Sequence, residues 1–392
     1  MNPGGGLDPS QVWDRDDTIA EIWRSLARPQ SVYLTGERRA GKTAIVTKMK
    51  ANPPPDLTVV YTDVEAINTL GEFAEKLLVS VSEALPAVAK SRGWLARKLK
   101  SLGITKVGLA GFGVEFAEVG ERQWDAIVRQ VVESLERLED RRVVLVLDEL
   151  PQLLTNIASR GRELDARQVL DTLREIRQTH RKVTMIFTGS IGLHHVVKKL
   201  AASGSWAPIN DMAVVDVPPL DAANGRGLAR ELVVNEGIAT ESVDVLTTAI
   251  ASSAGNAPFY IHQIVSALSG RPRTAETASA ATIEQIVIDK INNAQDPWQL
   301  GHFITRVPSY YGPDADYVMA VLDIVANGEP LPFEELRLLV PAKLEITDQD
   351  LRRLSDLIDL LQKDYYLVKS PDHVLRFRQS LLARFWRARR SL

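Results

Sequence analysis

The spacing of apolar positions changes several times along the chain. From Asp16 to Leu26 they fall at Ile19, Ile22, Trp23 and Leu26, which predicts a short helix. Ser31 to Thr35 is a compact β-type run ending at Gly36, and from Lys42 a helical period resumes through Ile45, Val46 and Met49. After the breaker cluster Asn52 to Asp56 come a strand, Leu57 to Tyr61, and an amphipathic helix carrying Leu70, Phe73, Leu77, Leu78 and Val81. A helix over about Gln123 to Leu138 leads into Val143 to Leu147, whose uniformly apolar composition predicts a central strand covered on both faces. A helix from Asp165 to Arg177, a strand from Val183 to Thr188 and a short strand from Ala213 to Val217 complete the alternation. Strands alternating with helices predict an α/β fold with a parallel, doubly wound sheet.

Beyond Leu220 the strand signals stop. Helical segments are expected near Ala222 to Asn235, Val243 to Ser253, Pro258 to Leu268 and Ala281 to Asn293, then near Ala315 to Ala326 and Asp348 to Gln362. Two short strands follow, Tyr365 to Lys369 and Val374 to Phe377, turned by Ser370 to His373. The expected division is a core over 1–219 with a basic, hairpin-like insertion at about 90–117, a helical domain over 220–295, and a winged-helix domain over 296–392.

Composition narrows the classes. At roughly 150 residues per domain, 392 residues suit two or three domains. Lys and Arg number 47 against 50 Asp and Glu, so no global basic field advertises a nucleic acid. The absence of cysteine removes disulfides and thiolate chemistry and suits a reducing compartment, so a cytoplasmic location is expected, and no signal-peptide pattern opens the chain. Val245 to Gly270 is free of charge, but Thr247, Thr248, Ser252, Asn256, His262 and Gln263 with Gly255 and Pro258 between them make it a poor membrane span. Two buried helices joined at Gly255 to Pro258 fit better, and no membrane partner is expected.

The chemistry concentrates in two segments. Gly36, Glu37, Arg38, Arg39, Ala40, Gly41, Lys42 and Thr43 complete the pattern G-x-x-x-x-G-K-[ST], placed between a predicted strand and a predicted helix, with Ala44 next. Such a loop cradles phosphates with backbone N–H groups, Lys42 reaching the β- and γ-phosphates and the Thr43 hydroxyl serving as a ligand to Mg²⁺. The strand VVLVLDEL delivers Asp148 and Glu149 at its carboxyl end, where open α/β sheets bind ligands. Asp148 would hold Mg²⁺ and Glu149 would act as general base on the attacking water. An additional strand between the two motif strands in sequence, and the lack of an N-K-x-D segment, favour ATP over GTP.

These segments give the chain a resemblance to the prokaryotic AAA-like and STAND-type ATPases called the archaeal ATPase family. It rests on DRDDTIAEIW, TGERRAGKT, YTDVEAI, LVLDELPQLL, IFTGSIGL, VPPL, GNAPFYIHQI and RFRQSLLARFW, and so extends over nearly the whole chain. The resemblance implies a P-loop core, a helical lid and a C-terminal winged helix acting as a nucleotide-dependent switch. It also implies a polar residue after the strand that follows the acidic pair, Thr188 or Ser190, reading the γ-phosphate. A helix cap is the alternative for Ser190. Pro258 in the GNAPF turn would lie near the adenine, and Asp14–Arg15 stands where a Gly–Arg pair grips the base in that family. Asp14 departs from the family glycine, and the GNAPFYIHQI turn lacks a sensor arginine. Arg160 or Arg162 would be candidates for a finger in a neighbouring subunit, against the plainer reading of solvated arginines.

Partner chemistry is less marked. The candidate recognition helix carries Asp348, Asp350, Asp356, Asp359 and Asp364 against Arg352, Arg353 and Lys363, a poor match to a phosphate backbone. Lys90 to Lys106 holds six basic and no acidic side chains, and Arg376, Arg378, Arg384, Arg387, Arg389 and Arg390 interleave with Phe377, Phe385 and Trp386. DNA contact through either segment stands beside a protein partner or self-assembly. For the C-terminal run, a helix docking its aromatics inward is preferred. The functional expectation is an ATP-binding, ATP-hydrolysing molecular switch coupled to a protein or nucleic-acid partner. An ATP-dependent DNA regulator or loader, and a defence or signalling module of low turnover, are the alternatives.

Overall fold

The computed structural model describes residues 8–84, 123–139, 141–190, 192–201, 206–272, 277–343 and 348–392. The expected basic insertion lies outside them. The chain divides into two compact units, Leu7–Val217 and Pro218–Leu392.

The first unit is built on five parallel strands: β1 (Val32–Thr35), β2 (Leu57–Asp63), β3 (Arg142–Asp148), β4 (Val183–Thr188) and β5 (Ala213–Asp216), in the order β2-β3-β4-β1-β5. The strand separating the phosphate-loop strand β1 from the acidic strand β3 is therefore β4, while β2, which intervenes in sequence, goes to the edge. β3 pairs with β2 from Leu57↔Arg142 to Asp63↔Asp148 and with β4 from Val143↔Val183 to Leu147↔Phe187. The period of two along β3 explains its uniform composition, because each face has its own core. Val144 and Val146 pack with Ile45, Val46 and Met49 of α2 (Lys42–Ala51) and with Ile22 and Leu26 of α1 (Asp16–Ala27). Val143, Leu145 and Leu147 pack on the other face with α3 (Leu70–Ala84), α4 (Trp124–Glu136), α5 (Leu150–Ala158), α6 (Glu163–Thr179) and α7 (Leu193–Leu200). The doubly wound expectation holds. Helices α5 and α7 are additions to the elements expected from the sequence; both are short, and Pro151 sits in the first turn of α5, where its missing N–H has no helical acceptor to lose.

The second unit opens with α8 (Ala222–Asn235), α9 (Val243–Ser253), α10 (Pro258–Ser269) and α11 (Ala280–Asn292). Asp221 and Ser242 cap the first two, and Ser279 and Thr282 form a capping box on the last. α9 and α10 are the two helices expected from the charge-free stretch, parted by left-handed residues Gly255 and Asn256. Then follow α12 (His302–Thr305), α13 (Val307–Tyr311), α14 (Ala315–Gly328), β6 (Leu331–Pro332), α15 (Phe333–Lys343), α16 (Asp348–Lys363), β7 (Leu367–Lys369), β8 (Val374–Phe377) and α17 (Ser380–Arg390). The expected hairpin β7–β8 gains a third antiparallel strand, β6, in the order β6-β8-β7.

Phe377, Phe385 and Trp386 are buried, as the inward-docking expectation required. The arginines beside them are engaged rather than merely solvated. Arg384 pairs with Glu284 of α11 at 2.5 Å, Arg387 donates to Ala326 O at 2.7 Å, Arg389 donates to Asn293 O at 2.6 Å, and Arg390 holds Asp323 at 2.9 Å. Among the described residues no helix is long and apolar enough to cross a membrane.

Candidate functional site

The loop between β1 and α2 closes through Ala40 N donating to Glu37 O at 3.1 Å. Gly41, the residue before α2, takes φ +94°, a backbone shape that only glycine adopts cheaply. Arg39 is left-handed as well, at φ +67°, and Arg38 is exposed on the loop's crown. Lys42 folds back along the loop, and its Nζ donates to Gly36 O at 2.8 Å and Glu37 O at 2.9 Å. Burial is the main cause of a Lys42 pKa lowered to about 8, opposed by the nearby carboxylates of Glu149 and Asp148. Ala44 lies in the first turn of α2, and the helix N-terminus contributes its unpaired N–H groups to the same mouth.

Asp148 ends β3, almost fully buried. Its Oδ2 accepts from Thr43 Oγ1 at 2.8 Å and from Tyr61 OH at 2.8 Å. Burial, with Asp148 adding to it, pushes the Tyr61 phenol well above its ordinary range, so it is a donor at any working pH. The hydroxyl and carboxylate brought together here are hard oxygen donors of the kind Mg²⁺ prefers. They fit that ion: Thr43 and Asp148 would hold it, and when bound it would neutralise phosphate charge.

Glu149 takes φ +62° and precedes α5. Its Oε2 accepts from Ser190 N at 2.8 Å and from Ser190 Oγ at 2.9 Å. Burial raises the Glu149 pKa, and the two hydrogen bonds from Ser190 act against that rise. A Cβ at Gly189 would lie 2.6 Å from Pro151 Cδ, so the loop after β4 meets the start of α5 at a point where only glycine fits. Ser190 is not a helix cap, since that position before α7 belongs to Gly192. Thr188 ends β4 beside Leu34 of β1, fully buried, and its hydroxyl has no hydrogen-bond partner among the described residues. Of the two residues weighed as phosphate readers, Ser190 is occupied by Glu149 and Thr188 has no partner among the described residues.

Arg15 is buried, its pKa lowered by that burial, and its Nη2 donates to Ala40 O of the phosphate loop at 3.1 Å. Asp14, standing where the resembling family has glycine, takes φ +40°, so the glycine-like backbone persists under a side chain that tolerates it. Asp14, Arg39 and Glu149 are thus left-handed residues gathered at one site, where such strain is commonly kept. Pro258 opens α10 in the other unit. Arg162 is half-buried and pairs with Asp165, and Arg160 is exposed. Sequence reasoning missed Tyr61: its place in the strand's alternation marks it as half-buried and gives no sign of what its hydroxyl meets.

The AAA domain family matches residues 26–197. No curated protein gives a match. Among solved structures the chain is similar to a Walker-type ATPase of Pyrococcus abyssi, at 15% identity and a TM-score of 0.64, covering 96% of this chain and 97% of that one. Weaker likenesses, at TM-scores of 0.42 and 0.45, are to the RuvB Holliday junction branch migration motor of Thermotoga maritima (10% identity, 94% of this chain and 93% of that chain) and to the ORC2 protein of Aeropyrum pernix in its ADP form (11% identity, 99% and 97%). The first shares the fold. Residues 26–197, which carry the phosphate loop, the paired acids and Thr188, match the AAA domain family and form an AAA-type P-loop ATPase domain.

Proposed function

We propose that the chain binds ATP with Mg²⁺ and hydrolyses it as a molecular switch. The observation that carries this reading is the junction of Thr43 Oγ1 with Asp148 Oδ2 at 2.8 Å, which closes the phosphate loop against the acidic strand. On binding, Lys42 would exchange the carbonyls of Gly36 and Glu37 for phosphate oxygens, and the loop amides from Glu37 to Ala44 would take the remaining charge. Thr188 is the open hydroxyl at the junction of β1 and β4 and would donate to the terminal phosphate. Glu149, the base, would take a proton from the attacking water, with Ser190 keeping its carboxylate ionised in a desolvated place. Arg15 and Pro258 remain the proposed base contacts.

The second unit is read as a helical lid over 220–295 and a winged helix over 296–392. Four arginines of the C-terminal run are spent on intramolecular partners. That favours a protein partner or self-assembly over a DNA surface there, and the cytoplasm remains the proposed location.

The test is direct. Lys42→Ala should lose ATP binding by calorimetry. Glu149→Gln should bind ATP while its turnover falls. Hydrolysis retained in both variants overturns the site assignment, and salt-sensitive, ATP-dependent binding of duplex DNA would reinstate the DNA reading.

A further inference from the structure

We propose that Tyr61 is a positioning residue for the metal-bound nucleotide: its phenol, outside the ligand pair, holds the Asp148 carboxylate in place. The inference rests on the reading of the loop as a triphosphate site. Tyr61 faces Val146 across the β2–β3 ladder, and Asp63 faces Asp148, so Tyr61 is the diagonal neighbour of Asp148, a separation that long aromatic side chains span. Both residues lie on the face that carries Val144 and Val146, where Tyr61 packs against the cluster of α1 and α2. The ring is therefore anchored in the core, and only its hydroxyl reaches the end of the sheet, 2.8 Å from Asp148 Oδ2.

Two donors share that oxygen, and their roles differ. Thr43 can ligate a cation through a lone pair while its O–H still donates to Asp148, so it belongs to the ligand pair and moves with it. Tyr61 is not part of the ligand pair, so its hydrogen bond persists through loading. A buried carboxylate without a donor is costly, and outer partners of this kind set the orientation of metal ligands. A ring that merely filled the core would do so equally well without its hydroxyl.

Tyr61→Phe in the full chain separates the two roles, with folding checked by circular dichroism. ATP affinity is measured by calorimetry in EDTA and in Mg²⁺, and hydrolysis is followed as Mg²⁺ is raised. In EDTA the variant should match the parent. The tightening brought by Mg²⁺ should shrink by about tenfold, and half-maximal hydrolysis should need about tenfold more Mg²⁺, the lower end of the range for lost outer partners. The rate at saturating Mg²⁺ should approach the parent's. Lys50→Ala, which removes the ammonium 6.0 Å from the Tyr61 ring centroid, should change neither quantity. Equal Mg²⁺ tightening in Tyr61→Phe and parent, no Mg²⁺ effect in the parent, or a Lys50→Ala that reproduces the loss each overturns the proposal. A parent that binds ATP in neither buffer overturns the triphosphate reading instead.

Discussion

Buried charge is handled in opposite ways in the two units. In the second, Asp323 accepts from Trp386 Nε1 at 2.8 Å and from Arg390 at 3.0 and 2.9 Å, with Lys343 at 3.2 Å. Nearby, Arg306 donates to Tyr366 OH at 2.9 Å and to Asp364 O at 2.6 Å, lies over the rings of Phe303 and Tyr366, and Tyr311 donates to Asp364. These networks join α12, α13, α14, α15 and α17 to the strand β7 region, and every partner is a fixed part of the fold. In the first unit, Lys42 rests on two carbonyls, Thr43 leans on Asp148, and the Thr188 hydroxyl has no partner among the described residues. Those arrangements can be exchanged for a ligand's oxygens. Closed networks specify structure, while exchangeable ones mark where something binds.

Substitutions should separate the two kinds. Glu149→Gln should lower kcat by about 10²–10⁴-fold, the usual contribution of a general base, with an unchanged melting curve. In contrast, Asp323→Ala should cost about 2–3 kcal/mol in denaturant unfolding, since the indole of Trp386 loses its buried acceptor, while ATP affinity stays at the parent value. Thr188→Val would sharpen the contrast further. Removing a buried, unpartnered hydroxyl should raise stability by about 1 kcal/mol, at the low end of the burial penalty, while hydrolysis falls. A destabilised but fully active variant would place Thr188 with the structural group.

Two pH measurements probe finer differences. Lys42, with its pKa near 8, is partly neutral at pH 9 and charged at pH 6.5; bound phosphate favours the charged form. Binding should therefore take up protons at pH 9 and almost none at pH 6.5, read from calorimetry in buffers of different ionisation enthalpy. The smallest effect is at Ser190. Its hydroxyl lowers the Glu149 pKa against burial, so Ser190→Ala should raise that pKa and move the acid limb of kcat to higher pH. A limb that stays in place would show that the backbone N–H of Ser190 is sufficient.

The legibility of the sequence followed locality. The phosphate loop could be read because eight consecutive residues and their flanking periods all serve one geometry. The uniform run over Val143 to Leu147 announced a strand with two covered faces, and the structure supplies both cores. Sheet order was not legible in this way: β4 enters between β1 and β3 by long-range pairing that leaves no local trace. The same holds for Tyr61 and Ser190, whose hydroxyls meet acids 87 and 41 positions away. The short helices α12 and α13 were missed because Pro308 interrupts the apolar spacing there.

The tight approach of Gly189 to Pro151 constrains how this chain can vary. Any larger residue at 189 collides with the pyrrolidine ring, so in a randomised library the two positions should change together or not at all. Survivors with alanine at 189 should carry a smaller or more pliable residue at 151, and those that also retain turnover would reveal how much play the neighbouring glutamate tolerates.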